Sequence, residues 1–118
     1  LWIGTMEGLI EYDINKDQYV TTYTQGDGLA GNKITALFAD SKGVLWIGAG
    51  DNKGLTSLKK GVFTRIRNAG ETTPSCITED RTGKIWVGTD SKGILVIHKD
   101  DIKKYTVKDG MLSDDINL

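Results

Sequence analysis

Short apolar stretches alternate with polar, glycine-containing turns along the whole chain, and one of these stretches occurs three times. Leu1–Thr5 (LWIGT) returns as Leu45–Ala49 (LWIGA) and as Ile85–Thr89 (IWVGT), 44 and then 40 residues apart. No stretch between the glycines sustains the 3.6-residue period of an amphipathic helix. Since a period of about 40 residues is typical of repeat folds, the repeat itself predicts the architecture.

Each repeat contains four short predicted strands separated by turns. A strand that begins with a Gly-apolar pair, such as Gly54-Leu55, follows the tryptophan strand. A more polar strand comes next, and a glycine-containing connection then leads to a fourth apolar strand, such as Ile34 to Ala39. Four short strands per repeat describe one blade of a β-propeller. The predicted fold is all-β: a β-propeller fragment of about three four-stranded antiparallel blades.

The polarity of the strands predicts their order, which we name A to D from the propeller axis outward. Strand A, which ends each repeat, and strand B, which carries the tryptophan, are apolar on both faces, as inner strands between blades must be. Strand C begins with the Gly-apolar pair. Strand D carries lysine and arginine, as in residues 63–67 (FTRIR), and such charges protect an open sheet edge from pairing with other chains.

An Asp-x-x-Gly tetrad precedes two of the tryptophan strands, at Asp40 to Gly43 and at Asp80 to Gly83, and the tryptophan lies six residues past the aspartate. The aspartate accepts hydrogen bonds from the turn backbone, and the glycine supplies the positive φ that closes a short hairpin. Strands A and B are therefore predicted to be antiparallel neighbours. The residues predicted to be structural in these turns are Asp40, Gly43, Asp80 and Gly83.

We predict that the chain is part of a single propeller domain, and the positions of the strands within each repeat assign its residues to successive blades. Residues 1–30 correspond to strands B to D of one blade, 31–68 and 69–107 to two full blades, and 108–118 to the start of a further strand A. Closed propellers typically use four to eight blades. We therefore expect a longer polypeptide, and we expect the open blade faces to meet either the remaining blades or a second copy of the chain.

Composition and charge bear on the possible partners. Fifteen basic residues against sixteen acidic ones leave a net charge of -1, which offers no footprint for nucleic acid or for an anionic membrane surface. Cys76 is the only cysteine, so neither an internal disulfide nor a thiolate cluster is expected. No apolar run approaches the roughly 20 residues of a membrane span, and no signal peptide opens the chain. We expect no nucleic-acid partner, no membrane contact by this segment and no cofactor.

Several residues that could carry chemistry are better explained as structure. Trp2, Trp46 and Trp86 could stack on sugars, but their fixed place in an apolar strand favours packing between blades, with each indole N–H bonded to the backbone. Residues 13–17 (DINKD) resemble the start of a calcium loop but lack its later Gly and Glu. His98 is the only histidine and has no partner nucleophile. We expect no catalytic residue and no metal site.

The best candidates for ligand binding lie on the loops of one face. Propeller geometry places the B-to-C turns and the D-to-A connections together, and ligands commonly bind over the axis there. The B-to-C turns vary most between the repeats, and variation on a constant scaffold is where specificity usually resides. The candidates are Glu7, Asp27, Asn32, Asp51, Asn52, Lys53, Asp90 and Lys92.

Three motifs of the chain, LWIGT-x-x-GL-x-x-YD, YT-x-x-DGL-x-x-N-x-I and D-x-x-G-x-LWIG, resemble the two-component regulator propeller repeat. The middle repeat departs from it, because residues 67–71 (RNAGE) replace the DGL signature. The resemblance implies the periplasmic, or extracytoplasmic, sensor region of a bacterial hybrid two-component regulator. It also implies a carbohydrate-derived ligand, possibly an oligosaccharide, and a kinase elsewhere in the full-length protein.

Three functions follow as hypotheses. The favoured one is a non-catalytic sensor module that binds an extracellular ligand. A propeller enzyme, such as a lyase or hydrolase, would carry a His, a Glu or a metal on its axis-facing loops. The one histidine of this chain, His98, lies on a different turn, so the catalytic residues of such an enzyme would lie outside this chain. A protein–protein docking propeller would present a contiguous apolar patch on the loop face.

Overall fold

The chain folds into antiparallel β-strands in a computed structural model that describes residues 1–69, 71–90, 92–99 and 101–106. Two single-turn 3₁₀ segments, Gln25–Asp27 and Arg67–Ala69, lie in the connections. In chain order the strands are β1 (Trp2–Thr5), β2 (Gly8–Asp13), β3 (Gln18–Tyr23), β4 (Ile34–Ala39), β5 (Leu45–Ala49), β6 (Gly54–Lys59), β7 (Val62–Arg65), β8 (Pro74–Glu79), β9 (Ile85–Thr89), β10 (Ile94–His98) and β11 (Asp101–Tyr105).

The strands form three successive blades. The first blade is the sheet β1-β2-β3, the second is β4-β5-β6-β7, and the third is β8-β9-β10-β11, each with neighbouring strands in chain order. This confirms the predicted all-β fold and the order of strands A to D. The further strand A predicted at residues 108–118 lies outside the described residues. That the whole chain belongs to a single propeller domain stays a prediction.

Adjacent blades pack face to face through two apolar clusters. The first interface, between the first and second blades, has a buried core of Leu9, Leu29, Leu45, Ile47 and Leu58, with Trp2, Tyr23 and Phe63 packed against it. The second interface, between the second and third blades, has a buried core of Leu55, Ala69, Ile85, Val87, Leu95 and Ile97, with Trp46, Ile66 and Ile102 packed against it. The tryptophan of strand B therefore packs between blades at both interfaces.

A glycine two residues after the tryptophan lets the next blade approach. Side chains alternate along a strand, so Trp46 and Gly48 face the same neighbour. A Cβ atom on Gly48 would lie 2.6 Å from Cβ of Pro74 at the start of β8. A Cβ atom on Gly4 would likewise lie 2.6 Å from Cγ2 of Ile34 in β4. In these two copies of the motif, the glycine sets the distance between blades.

The innermost strands are less buried than the sequence predicts. Residues 34–38 of β4 are half-buried and Ala39 is exposed, and Cys76 in β8 is also half-buried. The prediction that strand A is as buried as strand B is therefore wrong, since β4 and β8 each pair with one strand of their sheet, whereas β5 and β9 pair with two. The two strands are joined laterally by the Thr35 hydroxyl, which donates to the Pro74 carbonyl at 2.6 Å.

Candidate functional site

The Asp-x-x-Gly turn is bonded directly to the tryptophan that follows it. Oδ1 of Asp40 accepts the backbone N–H groups of Lys42 and Val44, each at 2.9 Å. Oδ2 of Asp40 accepts the indole N–H of Trp46, also at 2.9 Å. Gly43 has φ 82°, the left-handed conformation that the hairpin requires. The two carboxylate oxygens thus have separate tasks, one in the turn and one on the indole.

The third blade repeats this arrangement. Oδ1 of Asp80 accepts from the Thr82 and Lys84 backbone at 2.8 and 3.0 Å, and Oδ2 accepts the indole N–H of Trp86 at 2.8 Å. Gly83 has φ 89°. The expectation of a backbone partner for the indole is therefore wrong for Trp46 and Trp86. The six-residue spacing carries the indole edge back across the turn to the carboxylate.

These donors also change the acidity of Asp80. The Trp86 indole N–H and the Thr82 hydroxyl, together with the backbone N–H groups of Lys84 and Thr82, hold the pKa of the Asp80 carboxyl well below its ordinary value of 3.8. Hydrogen bonds to the ionised form favour that form. Since the folded-state pKa is lowered, the ionised carboxylate stabilises the fold above the unfolded-state pKa, and this stabilisation is lost as the pH falls toward the folded-state pKa.

Asp80→Asn is expected to lower the melting temperature at pH 7, because an amide has one acceptor oxygen and cannot serve both the turn and the indole. The difference from the parent chain should shrink as the pH falls below about 3.8, where the stabilisation by the parent carboxylate is progressively lost. Thermal unfolding between pH 7 and pH 2 measures this. The control is Asp51→Asn at an exposed turn position. A difference that stays constant over this range would contradict the assignment.

The B-to-C turns and the D-to-A connections meet at one end of the blades. The N–H of Gly50 donates to the Lys33 carbonyl at 2.8 Å, which joins the B-to-C turn of the second blade to the connection that precedes β4. The N–H of Gly54 donates to the Thr72 carbonyl at 2.9 Å. The N–H of Asp90, in the third blade, donates to the Thr73 carbonyl at 2.9 Å. We call the surface formed by these turns and connections the loop face.

Thr73 brings two of the predicted candidates together. Its hydroxyl accepts the N–H of Asn52 at 3.0 Å and lies 3.2 Å from Oδ1 of Asn52, while its carbonyl accepts the N–H of Asp90. Asp51 and Asn52 both have left-handed backbones, with φ 56° and 58°. Lys53 lies beside the first connection, because a Cβ atom on Gly31 would be 2.9 Å from Cγ of Lys53. Sequence reasoning missed Thr73, whose only signal is its place just before strand A.

Asp27 and Asn32 hold their own connection together. Oδ2 of Asp27 accepts the N–H of Thr24 at 2.8 Å, and Oδ1 of Asn32 accepts the N–H of Gln25 at 2.6 Å. Both residues are exposed, but these acceptor oxygens are already used within the connection. A direct role in ligand binding stays a prediction for both.

The remaining candidates are exposed residues of B-to-C turns that a threonine hydroxyl supports. The N–H of Glu7 donates to Oγ1 of Thr5 at 3.1 Å, and the N–H of Lys92 donates to Oγ1 of Thr89 at 3.2 Å. Glu7 lines a shallow cleft of about 480 Å³ with Met6 on the first blade. The hydrogen bonds therefore join Asn52 and Asp90 through Thr73, and they do not join Glu7 to that group.

The calcium-like stretch is a turn stabilised by its own side chains. Oδ1 of Asp13 accepts the N–H groups of Asn15 and Lys16 at 3.0 and 3.2 Å, and Asp17 accepts the Tyr12 hydroxyl. His98 is exposed at the end of β10. Over the part of the chain that the structure describes, no cluster of three or more His, Cys, Asp or Glu side chains is placed to hold a metal ion.

Comparison with protein families confirms the resemblance. Residues 28–51 and 70–91 match the model of the two component regulator propeller. The two stretches extend from the D-to-A connection through strands A and B into the B-to-C turn. They therefore include the Asp-x-x-Gly turn and its tryptophan in both complete blades. No curated protein matches the chain.

Solved structures share the fold. The extracellular domain of BT3049 from B. thetaiotaomicron, described as a hybrid two component system, matches 97% of this chain with 25% identity and TM-score 0.77. The extracellular domain of BT4673, described as a one component system of the same species, matches 87% with 21% identity and TM-score 0.75. PorZ, a surface component of the type-IX secretion system of Porphyromonas gingivalis, matches 96% with 16% identity and TM-score 0.67.

The chain spans only 16%, 15% and 20% of the lengths of these three structures, respectively. The likenesses to BT4673 and PorZ show the fold alone. In the described residues, no helix has the length and apolar character needed to cross a membrane. The comparisons thus place this chain among propellers that include extracellular domains of bacterial signalling systems.

Proposed function

We propose that this chain is a non-catalytic, ligand-sensing part of the extracytoplasmic β-propeller of a bacterial two-component receptor, and that its ligand is derived from carbohydrate. The observation that carries the proposal is the match of residues 28–51 and 70–91 to the two component regulator propeller. The structural likeness of this chain to the BT3049 extracellular domain supports a location outside the cytoplasm, which we take to be the periplasm. The kinase that completes such a receptor would lie elsewhere in the full-length protein.

The loop face supports this function because it presents polar groups on a fixed frame. Asp51, Lys53, Asp90 and Lys92 are exposed there, and they offer both donors and acceptors to sugar hydroxyls. The backbone beneath them is held by the hydrogen bonds to Thr73, so little ordering is required when a ligand binds. A small set of polar groups placed on a rigid scaffold is typical of ligand sites.

The same geometry offers a route for the signal. The turns that carry Asn52 and Asp90 belong to different blades and meet at Thr73. A ligand that contacts both turns would favour one relative position of the two blades. A ligand shifts such an equilibrium only as far as its affinities for the two positions differ.

Thermal unfolding of the purified protein with a panel of neutral and acidic oligosaccharides tests the proposal. At a ligand concentration of about 100 times Kd, binding should stabilise the fold by about 2.7 kcal/mol, which raises the melting temperature by on the order of 10 °C. Lys53→Ala and Asp90→Ala should reduce this shift, whereas Lys16→Ala, on a turn of strands C and D, should leave it unchanged. If no saccharide shifts the melting temperature, the proposed function is wrong.

A further inference from the structure

The two blade interfaces differ at the rim. In the first interface, Tyr23 lies between Trp2 and Phe63, with ring centroids 6.1 and 5.2 Å apart. The Tyr23 hydroxyl donates to Glu11 at 3.1 Å. Three aromatic rings and one carboxylate thus lie together at this interface.

Smaller residues stand at the equivalent positions of the second interface. Leu9 in β2 and Leu55 in β6 are equivalent, because each follows the glycine that begins strand C. Tyr23 pairs with Leu9, and the N–H of Ile66 donates to the Leu55 carbonyl, so Ile66 is equivalent to Tyr23. The same pairing aligns Ile102 with Phe63, and Ser57 with Glu11. The second interface therefore has two fewer aromatic rings than the first, and it has no carboxylate at this point.

A cleft of about 320 Å³ opens where those rings are missing. We call it the rim cleft, and its lining includes Trp46, Arg65, Ile66, Arg67, Lys99 and Ile102. A second cleft of about 210 Å³ shares Trp46 and Lys99 with it, so open space extends along the interface on both sides of Lys99. Ligand sites of drug-sized molecules begin at about 300 Å³, so the rim cleft has room for a small ligand.

The charge of the rim cleft is positive. Arg65, Arg67 and Lys99 are exposed, and within the described residues none of them forms an ion pair with a carboxylate. The carboxylate that lines the second cleft, Asp40, already accepts the Trp46 indole and two backbone N–H groups. Three cations around a half-buried indole favour a ligand that carries both an anionic group and an apolar face.

We propose that the rim cleft binds a negatively charged sugar unit, carboxylated or sulfated, whose ring packs against Trp46 while its anionic group is held by Arg67 and Lys99. This assignment rests on the proposed function, since that function makes the ligand a saccharide. It adds a site distinct from the turns that meet at Thr73 and specifies the charge of the ligand. Binding at a blade interface also couples the ligand directly to the spacing of the second and third blades.

Calorimetric titration of the full chain with a galacturonic acid trimer, a sulfated disaccharide and a neutral galactose trimer tests the site. We expect the acidic probes to bind and the neutral one to bind more weakly by roughly tenfold or more. Arg67→Gln and Lys99→Gln should each weaken acidic binding about three- to tenfold. Lys16→Gln, an exposed lysine of the first blade, is the matched control and should change nothing.

A space-filling variant tests the cleft independently of charge. Ile66→Tyr combined with Ile102→Phe copies the aromatic pair of the first interface, so it should abolish acidic binding while the melting temperature stays at or above that of the parent. Acidic binding that survives this variant, or that is insensitive to both charge variants, overturns the site. Preference for the neutral probe overturns the site and leaves the proposed function standing. Absence of binding by all three probes also overturns the site, and the oligosaccharide panel then decides the proposed function separately.

Discussion

Trp46→Ala is expected to lower the free energy of unfolding by about 3 kcal/mol, at the lower end of the range for replacing a core aromatic by alanine. The lower end applies because Trp46 is half-buried. Its ring packs against the buried cluster between the second and third blades, and its indole N–H donates to Oδ2 of Asp40. Urea denaturation followed by circular dichroism measures the change.

Trp46→Phe separates the two contributions of this residue. The phenyl ring keeps most of the interblade packing but removes the hydrogen bond, so we expect a loss of about 1 kcal/mol. If Trp46→Ala costs no more than Trp46→Phe, the ring does not stabilise the blade interface. A loss below about 0.5 kcal/mol for Trp46→Ala would contradict the packing itself.

Gly48→Ala is expected to destabilise the chain by about 1–3 kcal/mol, as overpacking typically does. The added methyl group would lie 2.6 Å from Cβ of Pro74 and 3.3 Å from Cβ of Ala36. Pro74 cannot rotate away, because its ring is fixed to the backbone of β8. The second and third blades would have to separate, so urea denaturation should show a lower midpoint.

Gly26→Ala is the control for this substitution. The nearest atom to a Cβ there is Oγ1 of Thr24 at 3.7 Å, an ordinary contact on an exposed segment. Alanine at this site should change the free energy of unfolding by less than about 0.5 kcal/mol. Equal effects at Gly26 and Gly48 would mean that the close approach of the blades does not constrain the motif.

The sequence contains enough to predict the blades. The Asp-x-x-Gly turn and the polarity of residues 63–67 are local features, and the period of the tryptophan motif repeats them along the chain. Together they predict the antiparallel strands and their order. The structure confirms both the fold and this order. The turn and the strand polarity could be predicted because they depend on residues a few positions apart, where backbone geometry and side-chain alternation decide the outcome.

Features that depend on the placement of side chains in three dimensions could not be predicted in the same way. The sequence shows the six-residue spacing of Asp40 and Trp46, but the indole–carboxylate bond depends on where the hairpin places the two side chains. The role of Gly48 depends on Pro74 of the next blade. The rim cleft depends on the difference between Tyr23 and Ile66, which becomes meaningful only when the two interfaces are compared.

The candidate site was predictable in outline. The exposed turns around Asn52 and Asp90 do lie on one face, as propeller geometry predicts, but the sequence did not point to Thr73 as the residue that joins them. Arg65 was expected to protect the sheet edge, and its place in the lining of a cleft depends on Ile66 and Ile102, which are smaller than the aromatic residues of the first interface. The roles of Asn52, Asp90 and Arg65 in ligand binding stay predictions.

An NMR titration of the isotopically labelled chain with saccharides tests recognition most directly, because the three tryptophan indole N–H signals and the loop-face amides report separate surfaces of the molecule. We predict saturable shifts of the amides around Asn52 and Asp90 and, with acidic saccharides, of the Trp46 indole, while the Trp2 indole in the filled first interface stays unchanged. A well-dispersed spectrum in which no saccharide, neutral or acidic, produces a saturable shift would contradict carbohydrate sensing by this propeller.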